Sequence, residues 1–516
     1  MIRSSFIPPE NYTKEQFLSD LGNICSFKEG DPISVKLQIF DTFDWRLFNK
    51  SLSLYRFGDM SYLYHLGEGL ILWSGRISEI PAFAQDFPDE SLRVQLEPVT
   101  GIRALFTALS GRIDSYSFRV LNKDDKTTTR VRYESFHGDG MESVQPFVYI
   151  RVIPVRGYQS SFTRTEKFFK EQGFLDGARS NLYSAFMAAV GKIPGDYSSR
   201  LDIQLSGEMR SDEALRIILR YLLKVMRQNE PGIKSDIDTE FLHDYRVSIR
   251  RTRSALSQLK GVFPPESTAG FREDFARFGE LTNSLRDLDV YLLKEDQYRE
   301  ILPQELKNDL NPLFIYLKGK HQKELASVTR FLETEEYRAR IMDYEHFLNE
   351  TIGESQDAPY APKSVYDLAH ENIYERYKRV LKKGHAARRS ADEDELHRLR
   401  IECKKLRYLI EFFSSLFDPD GIALILKQLR RLQDNLGDFN DVVIQMGYLM
   451  DISQELAGVD ETQTRTLLAV GSLIGSLEKK KQEYKGQFNK IYNKFASPKN
   501  KGLYSELFSK DSGTIS

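Results

Sequence analysis

The sequence predicts an α+β protein: an N-terminal domain of short β-strands followed by an all-α domain of two pseudo-symmetric helical bundles. Three observations lead there. Residues 1–205 read mostly as short strands parted by turn signals. From Ser211 onward apolar residues recur at helical spacing almost throughout. Within that helical region a single stretch occurs twice. The expected divisions are 1–205 for the β domain, 211–350 and 363–500 for two helical repeats, and 501–516 for a tail.

Composition narrows the class before any motif is read. At 516 residues the chain has room for several domains and a sizeable core. Hydrophobic residues at 41%, charged residues at 29% and a mean hydropathy of −0.45 describe a soluble globular protein. No apolar run approaches a membrane span, and Met1-Ile-Arg-Ser-Ser-Phe-Ile-Pro-Pro is too short in apolar residues for a signal peptide. Only two cysteines occur, Cys25 and Cys403, which excludes a disulfide scaffold and favours a reducing compartment, with the cytoplasm as the default. Net charge is −2 and neither half is basic overall, so any anion must be drawn by cations gathered on particular faces.

In the β region the expected strands are 33–40, 51–57, 62–66 and 70–73, then a hairpin of 112–122 and 128–135 across Lys123-Asp-Asp-Lys126, then 147–155. The pieces Phe40-Asp-Thr-Phe-Asp-Trp-Arg-Leu47, Leu52-Ser-Leu-Tyr-Arg56, Ser117-Phe-Arg119 and Val155-Arg-Gly-Tyr158 resemble the CYTH family, the antiparallel tunnel fold of triphosphate-processing enzymes. The resemblance implies carboxylates and cations that point into the tunnel and hold a metal and a triphosphate. The family's Glu-x-Glu-x-Lys signature, due before residue 30, is absent, and Val148-Tyr-Ile-Arg-Val-Ile-Pro154 carries Arg151 where the family places acidic ligands. Without those carboxylates Mg²⁺ has no hard-oxygen site and metal-assisted hydrolysis loses its centre. The expectation is a degenerate tunnel domain with no catalytic residue, no metal ligand and no cofactor. Its cations Arg46, Arg56, Arg103, Arg119, Arg132 and Arg151 read as barrel-surface charges, with anion binding as the alternative.

The join falls over 193–207. Ser211-Asp-Glu213 looks like an N-cap with acidic first-turn residues, and the helix behind it carries Arg216, Arg220 and Lys224 in a stripe before Asn229-Glu-Pro-Gly232 ends it. A helix over 241–262 stops at Phe263-Pro-Pro265. Periodicity resumes near Phe271 and includes Leu285-Arg-Asp-Leu-Asp289; residues 304–350 are charged and helical, and 353–362 reads as a linker. The second repeat keeps the order: a helix over 365–383 closed by Gly384 and a polar loop, a helix over 395–417, a turn at Asp418-Pro-Asp-Gly421, and a helix containing Leu432-Gln-Asp-Asn-Leu-Gly-Asp-Phe-Asn440-Asp441. That stretch parallels Leu285–Asp289 at nearly the offset of the repeat. The chain after Ser497 reads as ragged.

The duplicated stretch is Phe241-Leu-His-Asp-Tyr-Arg-Val-Ser-Ile-Arg-Arg-Thr-Arg-Ser-Ala-Leu256 and Glu395-Leu-His-Arg-Leu-Arg-Ile-Glu-Cys-Lys-Lys-Leu-Arg-Tyr-Leu-Ile410. Without a gap, His243 matches His397, Arg246 matches Arg400, Arg250 and Arg251 match Lys404 and Lys405, and Arg253 matches Arg407. On a helix the His and the residues three, seven and ten positions on form one stripe. Leu242, Tyr245, Ile249, Thr252 and Leu256 form the opposite, core-facing side, as do Leu396, Leu399, Cys403, Leu406 and Ile410.

This doubled His-x-x-Arg-x-x-x-(Arg/Lys)-(Arg/Lys)-x-Arg helix, followed in each half by an Asn/Asp-rich helix start, resembles the CHAD family, the conserved-histidine α-helical domain. The resemblance implies paired helical bundles whose facing basic surfaces bind inorganic polyphosphate without catalysis of their own. Residue chemistry points the same way. A linear polyanion without bases needs dense cations at helical spacing, bidentate from Arg and compact from Lys. Arg376, Arg379, Lys382, Lys383, Arg388 and Arg389 belong to an acid-free run expected to line the same site, with Lys427, Arg430 and Arg431 as further candidates. Neither His has a second ligand at metal spacing. Nucleic acid is the competing ligand, disfavoured because aromatics are scarce on the cationic face. A metal-dependent triphosphatase is the other alternative. No membrane partner is expected; association with polyphosphate granules, a protein partner for the N-terminal domain and the oligomeric state stay open.

Overall fold

The structure, a computed structural model, describes residues 4–141, 145–177, 179–350, 356–390, 392–455 and 461–509. The chain divides into two compact units, Met1–Ser198 and Ser199–Ser516. Residues 199–205, given to the β domain by sequence, sit with the helical unit. Arg251 Nη1 donates to Ser199 O at 2.7 Å and Leu205 N–H donates to Ser415 Oγ at 3.1 Å.

The first unit runs β1 (Ser4–Ile7), α1 (Lys14–Ile24), β2 (Phe27–Glu29), β3 (Ile33–Thr42), β4 (Leu52–Phe57), β5 (Met60–His65), β6 (Leu70–Gly75), α2 (Glu90–Thr100), β7 (Leu105–Leu121), β8 (Thr127–Gly138), β9 (Phe147–Pro154), α3 (Gln159–Glu171), β10 (Leu175–Asp176) and α4 (Arg179–Ala189). The strands form a curled antiparallel half-barrel in the order β10-β1-β9-β8-β7-β3-β4-β5-β6, with β2 also on β7. β7 is long enough to hold β3 along its first part and β2 beyond it. The expected hairpin is β7–β8, closed by Asn122 Oδ1, which accepts from Asp124 N–H at 3.0 Å and Lys126 N–H at 2.9 Å. Alternation assigns the two faces. Ile113, Phe136 and Tyr149 pack with Phe186 and Met187 of α4, while Phe118, Val131 and Ile150 pack with Phe17 of α1 and Phe162 of α3.

The second unit runs α5 (Ser211–Lys234), α6 (Thr239–Gln258), α7 (Pro265–Leu281), α8 (Asn283–Leu293), α9 (Glu295–Ile301), α10 (Asn311–Leu332), α11 (Glu335–Asn349), α12 (Val365–Ser390), α13 (Glu393–Phe412), α14 (Pro419–Glu455), α15 (Glu461–Phe495) and α16 (Pro498–Phe508). The shift in numbering that carries His243 onto His397 carries α6 onto α13 end to end, the start of α5 onto the start of α12, and Pro265 onto Pro419. α7 and α8, parted at Thr282, match the unbroken first part of α14. Backbone bonds at the start of α5 and α12 are reciprocal under the same shift. Ser211 N–H donates to Lys363 O and Val365 N–H to Met209 O, both at 2.8 Å; Asp212 N–H donates to Ala361 O and Tyr366 N–H to Gly207 O, both at 3.3 Å. Arg210 and Ser364, equivalents under the shift, face each other in an antiparallel bridge. A residue paired with its own equivalent marks a twofold relation between the repeats. A shared core crosses it: Leu288, Tyr291, Leu313 and Phe314 pack with Val442, Leu449, Ala469 and Leu473.

Several element ends depart from the sequence reading. Ser211 does not cap α5; its N–H and its Oγ both donate to Lys363 O, so it serves the clasp between repeats. α5 continues past Pro231 to Lys234, forfeiting a helix bond, and Gly232 leaves room for the Phe241 ring, which an added Cβ would meet at 2.2 Å. The ridge helices end earlier than the apolar pattern suggests, at Gln258 and Phe412. Pro498–Phe508 is helix rather than ragged chain, because Tyr504 is buried and stacks on Tyr377 at 3.7 Å. Part of the expected linker, 353–355, the tail's 510–516 and the first three residues lie outside the described residues. Among the described residues no helix is long and apolar enough to cross a membrane.

Gly384 lies inside α12 and does not end it. Tyr492 of α15 lies against it and donates to Leu381 O at 2.9 Å, and a Cβ on residue 384 would sit 2.0 Å from that ring. Gly384→Ala therefore lowers stability by about 1–3 kcal/mol through overpacking, although Ala raises helix propensity by about 1 kcal/mol. Urea unfolding checks this; a stabilised variant would mean that the ring yields freely.

Candidate anion-binding site

α6 and α13 bury the faces expected to be apolar: Leu242, Tyr245, Ile249, Thr252 and Leu256 are buried, as are Leu396, Leu399, Cys403, Leu406 and Ile410. Burial of that face turns the His/+3/+7 stripe of each helix outward. The stripes meet at Arg250. Its charge acts on Arg246 of its own helix and on both Arg400 and Lys404 of the other repeat. Partial burial, then Arg400 and Arg250, push the Lys404 ammonium down to about 8, with Asp441 pulling the other way. Burial first, then Arg250, push Arg246 down to about 10. Among the described residues neither Arg250 nor Lys404 has a hydrogen-bond or ion-pair partner, and Arg250 Nε is buried and unsatisfied.

The other members are held. Arg246 spans the break between α7 and α8, donating to Gly279 O at 2.7 Å, Thr282 Oγ1 at 2.6 Å and Asn283 Oδ1 at 2.6 Å. α14 has no break there, so Arg400 lacks such acceptors and lies 3.5 Å from Asp441 Oδ1. The two His differ in the same way. Arg286 Nη2 donates to His243 Nδ1 at 3.1 Å; because a guanidinium only donates, that nitrogen accepts and the ring proton sits on Nε2. His397 Nδ1 instead donates to Asn440 Oδ1 at 2.8 Å. Arg286 and Asn440 are equivalents under the repeat, as are Asp287 and Asp441, whose carboxylates act on each other across it.

The second residue of each cationic pair, Arg251 and Lys405, does not join the cluster. One step along a helix turns a side chain by about 100°, and both reach carboxylates. Glu411 takes Arg251 at 2.7 Å and Arg407 at 2.6 Å; Glu402 takes Arg376 at 2.6 Å and Lys405 at 3.3 Å. Arg216 and Arg220 are likewise occupied, donating to the Phe347 and Leu348 carbonyls in the last turn of α11. Arg388 reaches Asn493 at 3.0 Å. Lys224, Arg253, Arg379, Lys382, Arg389, Lys427, Arg430 and Arg431 are exposed and Lys383 half-exposed, outside the set of groups that act on one another around Arg250. Arg286 and Asn440 were not among the sequence candidates. Their equal distance in sequence from their histidines was the signal available.

In the first unit Arg151 pairs with the buried Glu134, Arg46 with Asp44 at 2.9 Å, and Arg103, fully buried, lies 3.7 Å from Asp44. Arg56 donates to Ser78 O at 2.9 Å. Among the described residues no group of three or more His, Cys, Asp or Glu is placed to hold a metal ion.

Lys404 also sets a pH dependence. Its folded value, about 8, lies below the ordinary lysine value of about 10.4, so the folded state binds fewer protons between them and stability rises with pH across that window. Lys404→Met should stabilise the ligand-free protein by about 1–3 kcal/mol at pH 7, with the gain fading as pH rises above 8. Denaturant unfolding at pH 7 and pH 9.5 measures it; a pH-independent difference would remove Lys404 as its source.

The model of the CHAD domain matches residues 217–449. Among solved structures the chain is similar to the crystal structure of the CHAD domain from the plant Ricinus communis, at 24% identity, with 58% of this chain and 96% of that chain covered and a TM-score of 0.49. It is also similar to PptA from Streptomyces chartreusis, at 13% identity, with 55% of this chain and 100% of that chain covered and a TM-score of 0.43. No curated protein matches the chain. The stretch matched by the CHAD domain model, 217–449, contains both ridge helices.

Proposed function

We propose that the helical unit binds inorganic polyphosphate at the cluster of Arg250, Lys404, Arg246 and Arg400, and that the protein holds the polymer without cleaving it. The observation that carries this is the pair Arg250 and Lys404, one from each repeat, neither of which has a hydrogen-bond or ion-pair partner among the described residues. Like charges brought together and partly desolvated raise the free energy of the empty site, and a polyanion relieves both costs at once. The CHAD family is linked to polyphosphate, which gives the anion its name. Arg286 holds His243, the first residue of the ridge, in the Nε2–H tautomer. Inorganic polyphosphate suits such a site better than nucleic acid, because its charged groups are guanidinium, ammonium and carboxylate, and Tyr408, half-buried and acting on Arg400, offers one ring where a single-stranded nucleic acid needs a run of them.

We read the first unit as a degenerate CYTH-like domain without hydrolytic activity. In support, α4 packs Phe186 against Phe136, Phe147 and Tyr149, on the sheet face that carries the Glu134–Arg151 pair, so a helix of the chain itself takes the place a substrate would need. With tripolyphosphate and Mg²⁺ or Mn²⁺ the protein should release no phosphate; metal-dependent turnover lost on mutating the first unit would overturn this reading.

Binding is tested with Arg250→Gln combined with Lys404→Gln, using polyphosphate and single-stranded DNA of equal charge at physiological salt. The double variant should bind polyphosphate at least roughly 100-fold more weakly, at about 1.5–3 kcal/mol per lost charge-assisted contact, while keeping its helical content. Unchanged affinity, or a preference of the wild type for DNA, would refute the proposal.

A further inference from the structure

A cavity of about 260 Å³ lies in the first repeat, away from the residues of the ridge cluster. Leu215 of α5, Leu256 and Leu259 at the end of α6, and Phe263 give it an apolar floor; Lys260 and Arg272 supply the charge, and no lining residue is acidic. Among the described residues Arg272 and Lys260 have no hydrogen-bond or ion-pair partner, and Arg272 Nε is buried and unsatisfied. A third cation stands behind the floor. Arg216, 6% exposed, lies 5.2 Å from the Phe263 ring with its Nη2 unpartnered.

The duplication serves as an internal control. Under the shift that relates the repeats, Arg272, Lys260 and Arg216 correspond to Leu426, Ser414 and His370, while Phe263 and Pro265 correspond to Phe417 and Pro419. The apolar frame is common to both repeats, so the fold requires it. The cations belong to one repeat, so the fold does not. Buried donors without acceptors are costly unless a ligand supplies the acceptor.

We infer that this cavity is a separate binding site for a small organic anion, a carboxylate with a compact apolar body. The carboxylate takes the Arg272 fork and the Lys260 ammonium, and the body lies on Leu215, Leu256, Leu259 and Phe263. The space, roughly eight waters at about 30 Å³ each, suits a molecule of about ten heavy atoms. Inorganic polyphosphate fits poorly, because it would desolvate against the floor and gain nothing from it.

Octanoate is the probe and octanol its uncharged control, followed by ligand-observed NMR and calorimetry on the full chain. Arg272→Leu and Lys260→Ser each install the residue of the other repeat and should preserve the fold, which a melting curve verifies; Arg272→Lys retains the charge. Octanoate should bind the wild type, weaken at least roughly ten-fold in R272L and K260S, and recover in part in R272K, with octanol indifferent to all three. Polyphosphate affinity should not change in R272L, which separates this site from the ridge cluster. Equal octanoate affinity in wild type and R272L, or no binding to the wild type at millimolar concentration, would overturn the inference.

Discussion

The helical unit depends on a short clasp of main chain. Four backbone hydrogen bonds join the residues before and at the start of α5 to those before and at the start of α12, and they fall into two pairs that exchange under the repeat. Side chains at such a junction are replaceable, but the backbone pairing fixes the relation between the repeats whatever they carry. Once Arg210 faces Ser364, its own equivalent, two copies of one helix are brought face to face, and a stripe that is ordinary on one helix meets its duplicate.

From that constraint follows an electrostatic conflict that the protein does not resolve internally. Carboxylates are at hand, yet Glu402 and Glu411 neutralise the flank at Arg376, Lys405, Arg251 and Arg407, and not the centre. Asp441 only partly offsets the charge at Lys404. A cluster whose centre is compensated only in part while its rim is paired lowers its free energy when an external anion supplies the rest. The repeats are not equivalent in how they do so. The break at Thr282 gives Arg246 three acceptors, whereas beside the unbroken α14 Arg400 lies 3.5 Å from Asp441 Oδ1. That asymmetry arises from a single interruption in a helix.

How much of this was legible in the sequence differs by scale. The β7–β8 hairpin follows from turn chemistry, whereas the β3–β7 and β1–β9 pairings join strands distant in sequence; the ridge faces of α6 and α13 follow from period alone, because burial of one face of a helix determines the other. What the sequence could not separate was Arg250 from Arg251, or Lys404 from Lys405. Adjacent cations look alike in a motif, and only the position of Glu411 and Glu402 on a neighbouring turn decides which is neutralised. Arg216 and Arg220 had the right spacing for a binding stripe, but the last turn of α11, distant in sequence, needed donors for its carbonyls. Gly384 and Gly232 read as helix ends because glycine is usually spent there; here each makes way for an aromatic ring from another helix. For Arg251, Arg216, Arg220 and Gly384 the deciding neighbour arrives from far along the chain, while for Lys405 and Gly232 it lies within ten residues.

If polyphosphate supplies the charge that the cluster lacks, the Lys404 ammonium reports it directly. Lysine-side-chain NMR can follow its titration in the protein alone and with polyphosphate at saturation. The account predicts a value near 8 without polymer and a rise toward the ordinary lysine range of about 10.4 with it. A Lys404 titration unmoved by saturating polyphosphate would place the polymer elsewhere and contradict the account.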